Sequence, residues 1–420
     1  MVKQGYKQTD IGVIPEDWKL MPSGEFIEVL TDFTANGSFA SLAENVTYLD
    51  YPDYARLVRL TDIRTNFKNQ GIYVSKDSYE FLAKSSLFGG ELLLANVGAY
   101  AGYSFLFQKS FQEYATLGPN MFLVKANKNI LREEYLPLVF GYGTVFKQLI
   151  EAAASSAQPK INKDNVRKSV AIIPPLNEQK RIAEALSDVD SMISALEKLV
   201  TKKKAVKQGA MQELLTGKKR VPGFSGEWYE TTVGEHCCVF DGTHQTPKYT
   251  ITGIPFYSVE NITASDFVNT KFITAEEHEQ LSSKCKIEKG DILMTRIGSI
   301  GDCKYIDWDV NASFYVSLAL IKCKETINAQ FLSFYSTSSY FKKEIEIRSL
   351  LTAIPQKINL GPISEIKLNI PSDIKEQEAI ASVLSDMDNE IEVLEQKLAK
   401  NRLLKQGMMQ QLLTGKIRLV

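Results

Sequence analysis

Apolar residues recur in two long stretches of the chain with alternating steps of four and three, the spacing of a coiled-coil seam. The first seam consists of Ile182, Leu186, Val189, Ile193, Leu196 and Val200, followed after a polar break by Ala210 and Leu214. The second consists of Ile380, Leu384, Met387, Ile391, Leu394, Leu398, Met408 and Leu412. Asn177 and Asp373 are the predicted N-caps, and Gly217 and Gly415 stand where a glycine ends a helix. The pattern predicts two helices of about 40 residues, each about 60 Å long.

The two stretches are copies of one another. Residues 178–221 and 376–419 align without a gap and match at 23 of 44 positions, including shared E-Q, L-S-D, K-Q-G and L-L-T-G-K runs. Each copy follows a longer segment, so the chain contains an internal duplication. The predicted segments are a globular unit at 1–173, a helix at 174–221, a second globular unit at 222–370 and a second helix at 371–420.

Charge predicts how the two helices pair. The first half of each copy is rich in acids and the second half is rich in bases, as in Lys202–Lys204. Antiparallel pairing sets acidic halves against basic halves, whereas parallel pairing stacks like charges. The sequence therefore favours an antiparallel coiled coil, and the alternative is two separate amphipathic core helices.

Matching motifs in the globular units predict a shared mixed α/β fold. Their paired segments are an alternating strand pattern at 57–63 and 256–262, a glycine-flanked buried strand at 90–98 and 290–298, strands at 121–125 and 318–322, helical stretches at 134–150 and 330–345, and Lys-Ile-Asn at 160–162 and 357–359. We therefore expect a pseudo-twofold duplication of two similar bodies separated by the helices.

Composition sets limits on the class of protein. The 420 residues carry a formal net charge of −1, so a nucleic-acid surface has to be local. The chain shows no signal peptide, lipidation motif or long apolar run, which predicts a cytoplasmic location. The five cysteines lack C-x-x-C spacing, and we expect them to be reduced thiols that fill core positions.

Catalytic motifs are missing from the sequence. It contains no phosphate-binding G-x-x-x-x-G-K-[ST] loop, no G-x-G-x-x-G, no H-E-x-x-H and no Asn-Pro-Pro-aromatic box of amino-group DNA methyltransferases. Only three histidines are present, so a duplicated histidine triad is excluded. A nuclease or methyltransferase with an unrecognised site remains the main alternative function, and a coiled-coil adaptor for protein partners is a third.

Candidate DNA-reading residues follow predicted strands. Three arginines, Arg56, Arg59 and Arg64, surround the first alternating strand, while Arg296 and Lys304 flank the second glycine turn. Arginine reads guanine bidentately, and asparagine or glutamine reads adenine. The loop at 241–249 adds His244, Gln245, Lys248 and Tyr249. Each of these residues has an ordinary alternative as a solvated or ion-paired surface side chain.

The duplicated E-Q…I-A…L-S-x-x-D…K-Q-G-x-M-Q-x-L-L-T-G-K-x-R segment closely resembles the specificity subunits of type I restriction–modification systems. The I-P-x-x-W opening, the R-L-x-D-I segment, the G-D-I-L-x-x-R-x-G turn and the D-G-T-H-x-T-P loop resemble their target recognition domains. This resemblance spans nearly the whole chain. One departure is Ala95-Asn96-Val97, which replaces T-R-x in the first turn.

The resemblance implies a DNA-binding subunit without catalytic residues. Each recognition domain would read one half of a split, asymmetric site on double-stranded DNA, and the helices would set the spacer and dock two methyltransferase subunits. Restriction–motor subunits would join through those. No cofactor or metal is expected on this chain, because S-adenosylmethionine, ATP and Mg would belong to the partner subunits, and no membrane is involved.

Two sets of site residues follow from this combined interpretation. The candidate DNA-contacting residues are Arg56, Arg59, Arg64, Asn96, Tyr100, Lys160, His244, Gln245, Lys248, Tyr249, Asn261, Arg296, Ser299, Lys304 and Lys357. The candidate partner-docking residues on the helices are Gln179, Gln208, Met211, Leu215, Gln377, Gln406, Met409 and Leu413.

Overall fold

The computed structural model describes residues 4–108, 114–155, 158–283, 285–350 and 354–420. The chain divides into two compact units: unit 1 comprises residues 1–195 and 398–420, and unit 2 comprises residues 196–397. Each long helix therefore contributes one half to each unit. The segment boundaries expected at 173/174, 221/222 and 370/371 stay a prediction. Within the described ranges, no helix is long and apolar enough to cross a membrane.

The strands of the described residues are short. In chain order they are β1 (Tyr6–Thr9), β2 (Gly12–Pro15), β3 (Lys19–Pro22), β4 (Ile27–Asp32), β5 (Ala55–Val58), β6 (Tyr73–Val74), β7 (Ser86–Leu87), β8 (Leu92–Ala95), β9 (Ser104–Leu106), β10 (Ala115–Leu117), β11 (Met121–Ala126), β12 (Val170–Ile173), β13 (Trp228–Thr232), β14 (Cys237–Asp241), β15 (Ile254–Tyr257), β16 (Lys271–Ile273), β17 (Ile292–Thr295), β18 (Cys303–Tyr305), β19 (Ser313–Phe314), β20 (Leu318–Cys323) and β21 (Lys367–Pro371).

Two long helices stand out among otherwise short ones. In chain order the helices are α1 (Ser23–Phe26), α2 (Phe39–Asn45), α3 (Leu60–Arg64), α4 (Lys76–Phe81), α5 (Leu136–Gly141), α6 (Gly143–Ala154), α7 (Lys163–Lys168), α8 (Leu176–Leu214), α9 (Val233–His236), α10 (Val259–Ala264), α11 (Ala275–Ser282), α12 (Ala329–Tyr335), α13 (Ser339–Arg348), α14 (Leu360–Ser364) and α15 (Ile374–Leu412). Short 3₁₀ turns lie at Phe33–Asn36 and Ala83–Ser85.

Three sheets of unit 1 have counterparts in unit 2, while the β1-β2 ribbon occurs in unit 1 alone among the described residues. Unit 1 has an antiparallel sheet ordered β4-β11-β8-β9, and unit 2 has its counterpart ordered β14-β20-β17-β18. A second sheet contains one parallel pair in each unit, β5 with β10 and β15 with β19. A two-stranded ribbon, β3 with β12 or β13 with β21, completes each set. The predicted duplication of one mixed α/β fold is confirmed.

Several predicted elements occur where the sequence placed them. The glycine-flanked runs form β8 and β17, and all four residues of each strand are buried. The strands predicted at 121–125 and 318–322 correspond to β11 and β20. Each predicted helical stretch is divided in two, as α5 and α6 or α12 and α13. In unit 1 the break falls at Tyr142, and α6 begins at Gly143, whose φ of 78° favours glycine.

The alternating strands predicted at 57–63 and 256–262 were wrong in their second halves. In each unit a short strand, β5 or β15, ends and a helix, α3 or α10, begins. The helices start there because a side chain three residues on accepts a hydrogen bond from the N-cap backbone. Asp62 accepts from the Arg59 N–H at 2.8 Å, and Asn261 accepts from the Ser258 N–H at 2.9 Å.

The long helices pack in antiparallel fashion within each unit. In unit 1, Ile182 and Leu186 near the start of α8 share a core cluster with Leu412 at the end of α15. In unit 2, Leu214 at the end of α8 shares a core cluster with Ile380 and Leu384 near the start of α15. The predicted antiparallel seam is confirmed.

Charge pairing agrees with this direction. The ion pairs between the two helices include Lys405–Asp190 in unit 1 and Lys203–Glu390, Lys204–Glu395 and Lys207–Asp388 in unit 2. Exposed pairs of this kind add little stability individually. These ion pairs favour the antiparallel direction, because parallel helices would place basic residues beside basic residues.

The helix ends differ from prediction at one place. Helix α8 begins at Leu176, so Asn177 lies inside its first turn instead of capping it. Asp373 does precede α15, and its carboxylate accepts the Lys375 N–H at 2.9 Å. Gly217 and Gly415 follow the helices with φ of 70° and 69°, the left-handed conformation that favours glycine at a helix end.

Candidate nucleic-acid interface

Two predicted residues, Asn96 and Lys160, meet at one edge of the β4-β11-β8-β9 sheet of unit 1. The chain leaving β8 pairs with the segment before α7: Val97 bridges Lys160, and the Ile161 N–H donates to the Asn96 carbonyl at 2.9 Å. Both predicted side chains line a groove of about 880 Å³ that also contains the end of β4. Lys160 is exposed, and Asn96 is half-buried.

The corresponding edge of unit 2 has different chemistry. Its backbone repeats that of unit 1, since the Ile358 N–H donates to the Arg296 carbonyl at 2.9 Å and Ile297 bridges Lys357. The Arg296 side chain is buried: its Nε donates to the Ile358 carbonyl at 3.2 Å and its Nη1 lies 3.5 Å from Asp241. Arg296 therefore holds this edge together, and base contact requires it to leave these partners. Lys357 is exposed.

The arginines around β5 form an internal network. Arg56 is buried, donates to Asp62 at 2.9 Å and lies over the rings of Phe67 and Tyr73. Arg59 is partly exposed, and its Nε donates to Asp62 at 3.1 Å. Burial alone would raise the pKa of Asp62, but hydrogen bonds from Arg56, Asn69 and Arg59 outweigh it and hold that pKa below its usual value. The buried Arg56 is thus a structural partner of Asp62, while Arg59 keeps an accessible edge.

Other predicted residues differ in accessibility. Arg64 is exposed, and its guanidinium lies 4.5 Å from the centroid of the half-buried Tyr100 ring. Asn261 is buried and belongs to the capping box of α10, so this structural role accounts for its presence without a DNA contact. Ser299 is exposed and hydrogen-bonds Asp302, and the half-buried Lys304 lies over the rings of Phe267 and Trp308.

The loop after β14 presents all four of its predicted side chains to solvent. His244, Gln245, Lys248 and Tyr249 are all exposed. His244 Nε2 lies 2.7 Å from the Asp241 carboxylate, and Lys271 lies over the Tyr249 ring at 5.0 Å. Gly242 is required there, because a Cβ at this position would lie 2.2 Å from the Phe314 carbonyl oxygen. The loop combines exposed donors with a fixed backbone.

Six of the eight predicted docking residues contribute to packing within their own unit. Gln179 accepts the Arg132 N–H and donates to the carbonyls of Ile130 and Pro174, and Gln377 repeats this with Asn328 and Pro371. The other four, all buried or half-buried, are Met211, Leu215, Met409 and Leu413. The two glutamines are unavailable to a partner because they fasten a helix to its globular body. Gln208 and Gln406 are exposed.

One buried site was missed by the sequence analysis. In unit 1 the Glu178 carboxylate is 2% exposed and accepts from Trp18 Nε1, Arg418 Nε and Arg418 Nη2, each at 2.8 Å. In unit 2, Glu376 is 0% exposed and makes a bidentate pair with Arg220. These glutamate–arginine pairs join the first residue of one copy to the penultimate residue of the other. The sequence does carry a signal for these pairs, because the glutamate and the arginine are identical in the two copies.

Thiols and possible metal ligands add no further site. All five cysteines are free; Cys237 is buried as expected, whereas Cys238 is exposed, contrary to expectation. In the part of the chain that the structure describes, no group of three or more His, Cys, Asp or Glu side chains could hold a metal ion.

Comparison with known proteins identifies the family. The model of the type I restriction modification DNA specificity domain matches residues 15–208 and 230–400. A type I restriction enzyme MjaX specificity subunit candidate of Methanocaldococcus jannaschii is 26% identical over 99% of this chain and 97% of its own length. The MjaVIII specificity subunit of the same organism is 26% identical over 96% and 94%. The chain therefore belongs to the family of type I restriction–modification DNA specificity subunits.

A solved structure shares the fold. The type I restriction–modification S subunit from M. genitalium superposes with a TM-score of 0.58 at 16% identity, covering 94% of this chain and 96% of that one. A second structure, from a study of complex assembly of the type I system, superposes with a TM-score of 0.54 at 16% identity, covering 96% of this chain and 99% of that one.

Proposed function

We propose that each unit reads one half of a bipartite, asymmetric site on double-stranded DNA. The observation that carries this is the duplication of one fold with different side chains at the same sheet edge. Register places Asn96 and Arg296 at equivalent positions, two residues beyond Leu94 and Met294, which pair with Phe122 and Ala319. Two equivalent edges with different hydrogen-bonding groups suit two different half-sites.

The residues proposed to contact DNA are those that the structure leaves accessible. In unit 1 these are Arg59, Arg64, Asn96, Tyr100 and Lys160. In unit 2 they are His244, Gln245, Lys248, Tyr249, Ser299, Lys304 and Lys357. Arg56 and Asn261 are left out because their partners are internal, and Arg296 acts by positioning Asp241 and the loop that follows it.

Paired variants test the assignment of one unit to one half-site. Arg64→Ala with Lys160→Ala changes unit 1, and Gln245→Ala with Lys248→Ala changes unit 2. Binding selection on random DNA, with methyltransferase subunits of a type I system supplied, should show each pair altering one half-site. Lys128→Ala, at an exposed lysine paired with Glu133, is the control and should alter neither. Equal effects of one pair on both half-sites would contradict the assignment.

We further propose that the long helices set the spacer between half-sites. Inserting four residues beside Lys203 and four beside Asn401 lengthens each helix by about 6 Å. Because B-DNA rises about 3.4 Å per base pair, the preferred spacer should change by one or two base pairs while both half-sites stay the same. A chain that assembles normally and keeps its original spacer would rule this role out.

Methyltransferase subunits are proposed to dock on the exposed faces around Gln208 and Gln406. Gln208 lines a groove of about 340 Å³ in unit 2 together with Met211, Leu215, Ser338 and Lys342. Gln208→Arg and Gln406→Arg should each remove one of two bound subunits, as measured by native mass spectrometry. Under this proposal, catalysis and the S-adenosylmethionine, ATP and Mg sites belong to the partner subunits. Among the residues that the structure describes, no observation favours a nuclease or methyltransferase.

A further inference from the structure

The groove of unit 1 has two kinds of wall. One part of its lining is apolar and aromatic, with Phe39 83% exposed and Tyr48 53% exposed beside the buried Phe33, Leu42 and Val46. Another part is polar and includes the half-buried Asn96 and the exposed Asn120 and Lys160, together with the Asp32–Lys163 ion pair and Asp164. An exposed aromatic ring at the mouth of a concave site costs hydrophobic free energy in the absence of a ligand. This groove is therefore shaped to receive a flat apolar group that also carries polar edges.

The unit 2 counterpart lacks this arrangement. There, Arg296 and Asp241 approach to 3.5 Å and His244 lies 2.7 Å from the same carboxylate. The equivalent aspartate of unit 1, Asp32, pairs with Lys163 at 2.8 Å instead. Asn96, standing where unit 2 has an arginine, leaves the space in front of it open.

Two polar groups in the groove have no partner among the described residues. The Asn96 side-chain oxygen is buried and receives no hydrogen bond from any residue that the structure describes. Lys160 is exposed, and no ion pair involving it occurs among the described residues. A buried acceptor without a donor is unfavourable, so a ligand N–H placed there would be bound preferentially. A cation beside it favours a ligand that also carries negative charge.

A nucleotide combines these features: a flat ring, N–H donors at its edge and a phosphate. An intact duplex presents base edges and phosphates but no free ring face, because each base is stacked between its neighbours. Only a base that has left the stack can offer its ring face to the aromatic residues and its edge to Asn96 at the same time.

We propose that this groove binds one nucleobase extruded from the DNA stack. The base stacks on Phe39 or Tyr48 and donates an N–H to Asn96, and Lys160 neutralises the adjoining phosphate. This proposal rests on the DNA binding proposed above.

The test compares DNAs that differ only at one nucleotide. Fluorescence anisotropy of the full chain, alone and with methyltransferase subunits, is measured on a perfect duplex, on one with a single bulged adenosine, and on one with an abasic bulge. A bulged base is already unpaired, so its unpairing cost is removed. Base–aromatic stacking then predicts binding about tenfold to a hundredfold tighter than to the abasic bulge.

Variants locate the effect. Phe39→Ala with Tyr48→Ala should abolish the preference for the bulged base over the abasic bulge, and Asn96→Leu should reduce it. Phe88→Ala, at a 63% exposed aromatic residue of unit 1 outside the groove lining, is the matched control and should preserve it. Photocrosslinking of a bulged 5-iodouracil should map to the peptides containing Phe39 or Tyr48.

The outcomes separate the two proposals. Equal affinity for the base and abasic bulges, with duplex binding intact, would overturn the base site alone. Absence of all duplex binding would overturn both. Loss of methyltransferase assembly without any change in DNA affinity in the Phe39/Tyr48 variant would show that a protein segment occupies the groove, and this also overturns the base site.

Discussion

Removing Arg418 should destabilise unit 1 far more than its surface position suggests. The guanidinium makes two of the hydrogen bonds to Glu178 and one to Asp17 at 2.7 Å, and it lies over the Trp18 ring at 5.7 Å. The hydrogen bonds that Arg418 donates to Glu178 and Asp17 raise the pKa of Arg418 above its usual value. In Arg418→Ala, the Glu178 carboxylate stays buried with only Trp18 and the Leu419 N–H as donors.

The size of the effect follows from burial. Removing one partner of a buried ion pair costs about 3–5 kcal/mol. Arg418 is 21% exposed at its side chain, so water can reach the vacated position, and the loss should be about 3 kcal/mol. With a urea slope of about 1–3 kcal/mol per M, the unfolding midpoint should fall by about 1 M or more.

Tryptophan fluorescence provides a unit-specific assay. A background with Trp228→Phe and Trp308→Phe keeps only Trp18, which reports on unit 1 because it donates directly to Glu178. The surface control is Lys180→Ala, whose 54% exposed side chain pairs with Glu184 at 3.7 Å and should cost less than about 1 kcal/mol.

A double variant separates charge from packing. Glu178→Gln with Arg418→Met removes both charges, so it should recover part of the stability lost in Arg418→Ala. If Arg418→Ala shifts the Trp18 transition no more than Lys180→Ala does, the buried pair does not hold unit 1 together. An equally unstable double variant would mean that shape, and not an unpaired buried charge, is responsible.

Three further predictions concern single contacts. Cys237 and Cys323 face each other across paired strands with their Sγ atoms 3.5 Å apart, so oxidation with diamide should form a disulfide between them in preference to other cysteines. Non-reducing peptide mapping would detect that disulfide. The hydrogen bond to Cys323 and burial raise the pKa of Cys237, so the oxidation should be faster at alkaline pH. Burial lowers the pKa of His236, so unit 2 should lose stability as pH falls below about 6.5, a loss that His236→Gln should reduce in Trp228 unfolding curves. Asp62→Ala should cost about 3 kcal/mol in Trp18-monitored unfolding because it leaves the Arg56 charge buried without a carboxylate, whereas Asp77→Ala in the next helix should cost far less.

The long helices were predictable because their information is periodic. Seam spacing, charge halves and end glycines each extend over many residues, so no single misread position changes the result. Segment 57–63 was misread because a local contact decided it. The bond from the Arg59 N–H to Asp62 starts a helix, and alternation of apolar residues over so short a run cannot reveal that bond.

The candidate site was predictable only in outline. Sequence indicated which strand exits carry polar residues, and the structure brings Asn96 and Lys160 together there. It could not indicate that Arg56 points inward, because an arginine beside a strand is compatible with either a ligand or a buried carboxylate partner. That choice depends on Asp62 and Asn69, which reach Arg56 only in the folded chain.

The duplicated motif contains residues with two different roles, and the glutamate–arginine pairs distinguish them. Glu178 and Arg220 belong to one copy, yet Glu178 pairs with Arg418 and Arg220 pairs with Glu376. Each glutamate–arginine pair therefore joins a residue of one copy to a residue of the other. A substitution at one of these positions in one copy breaks a pair whose other member lies in the second copy. Identity is maintained at these buried positions. Many solvent-facing positions between them have diverged, as at Glu184 and Ser382, whereas the exposed Gln208 and Gln406 are identical.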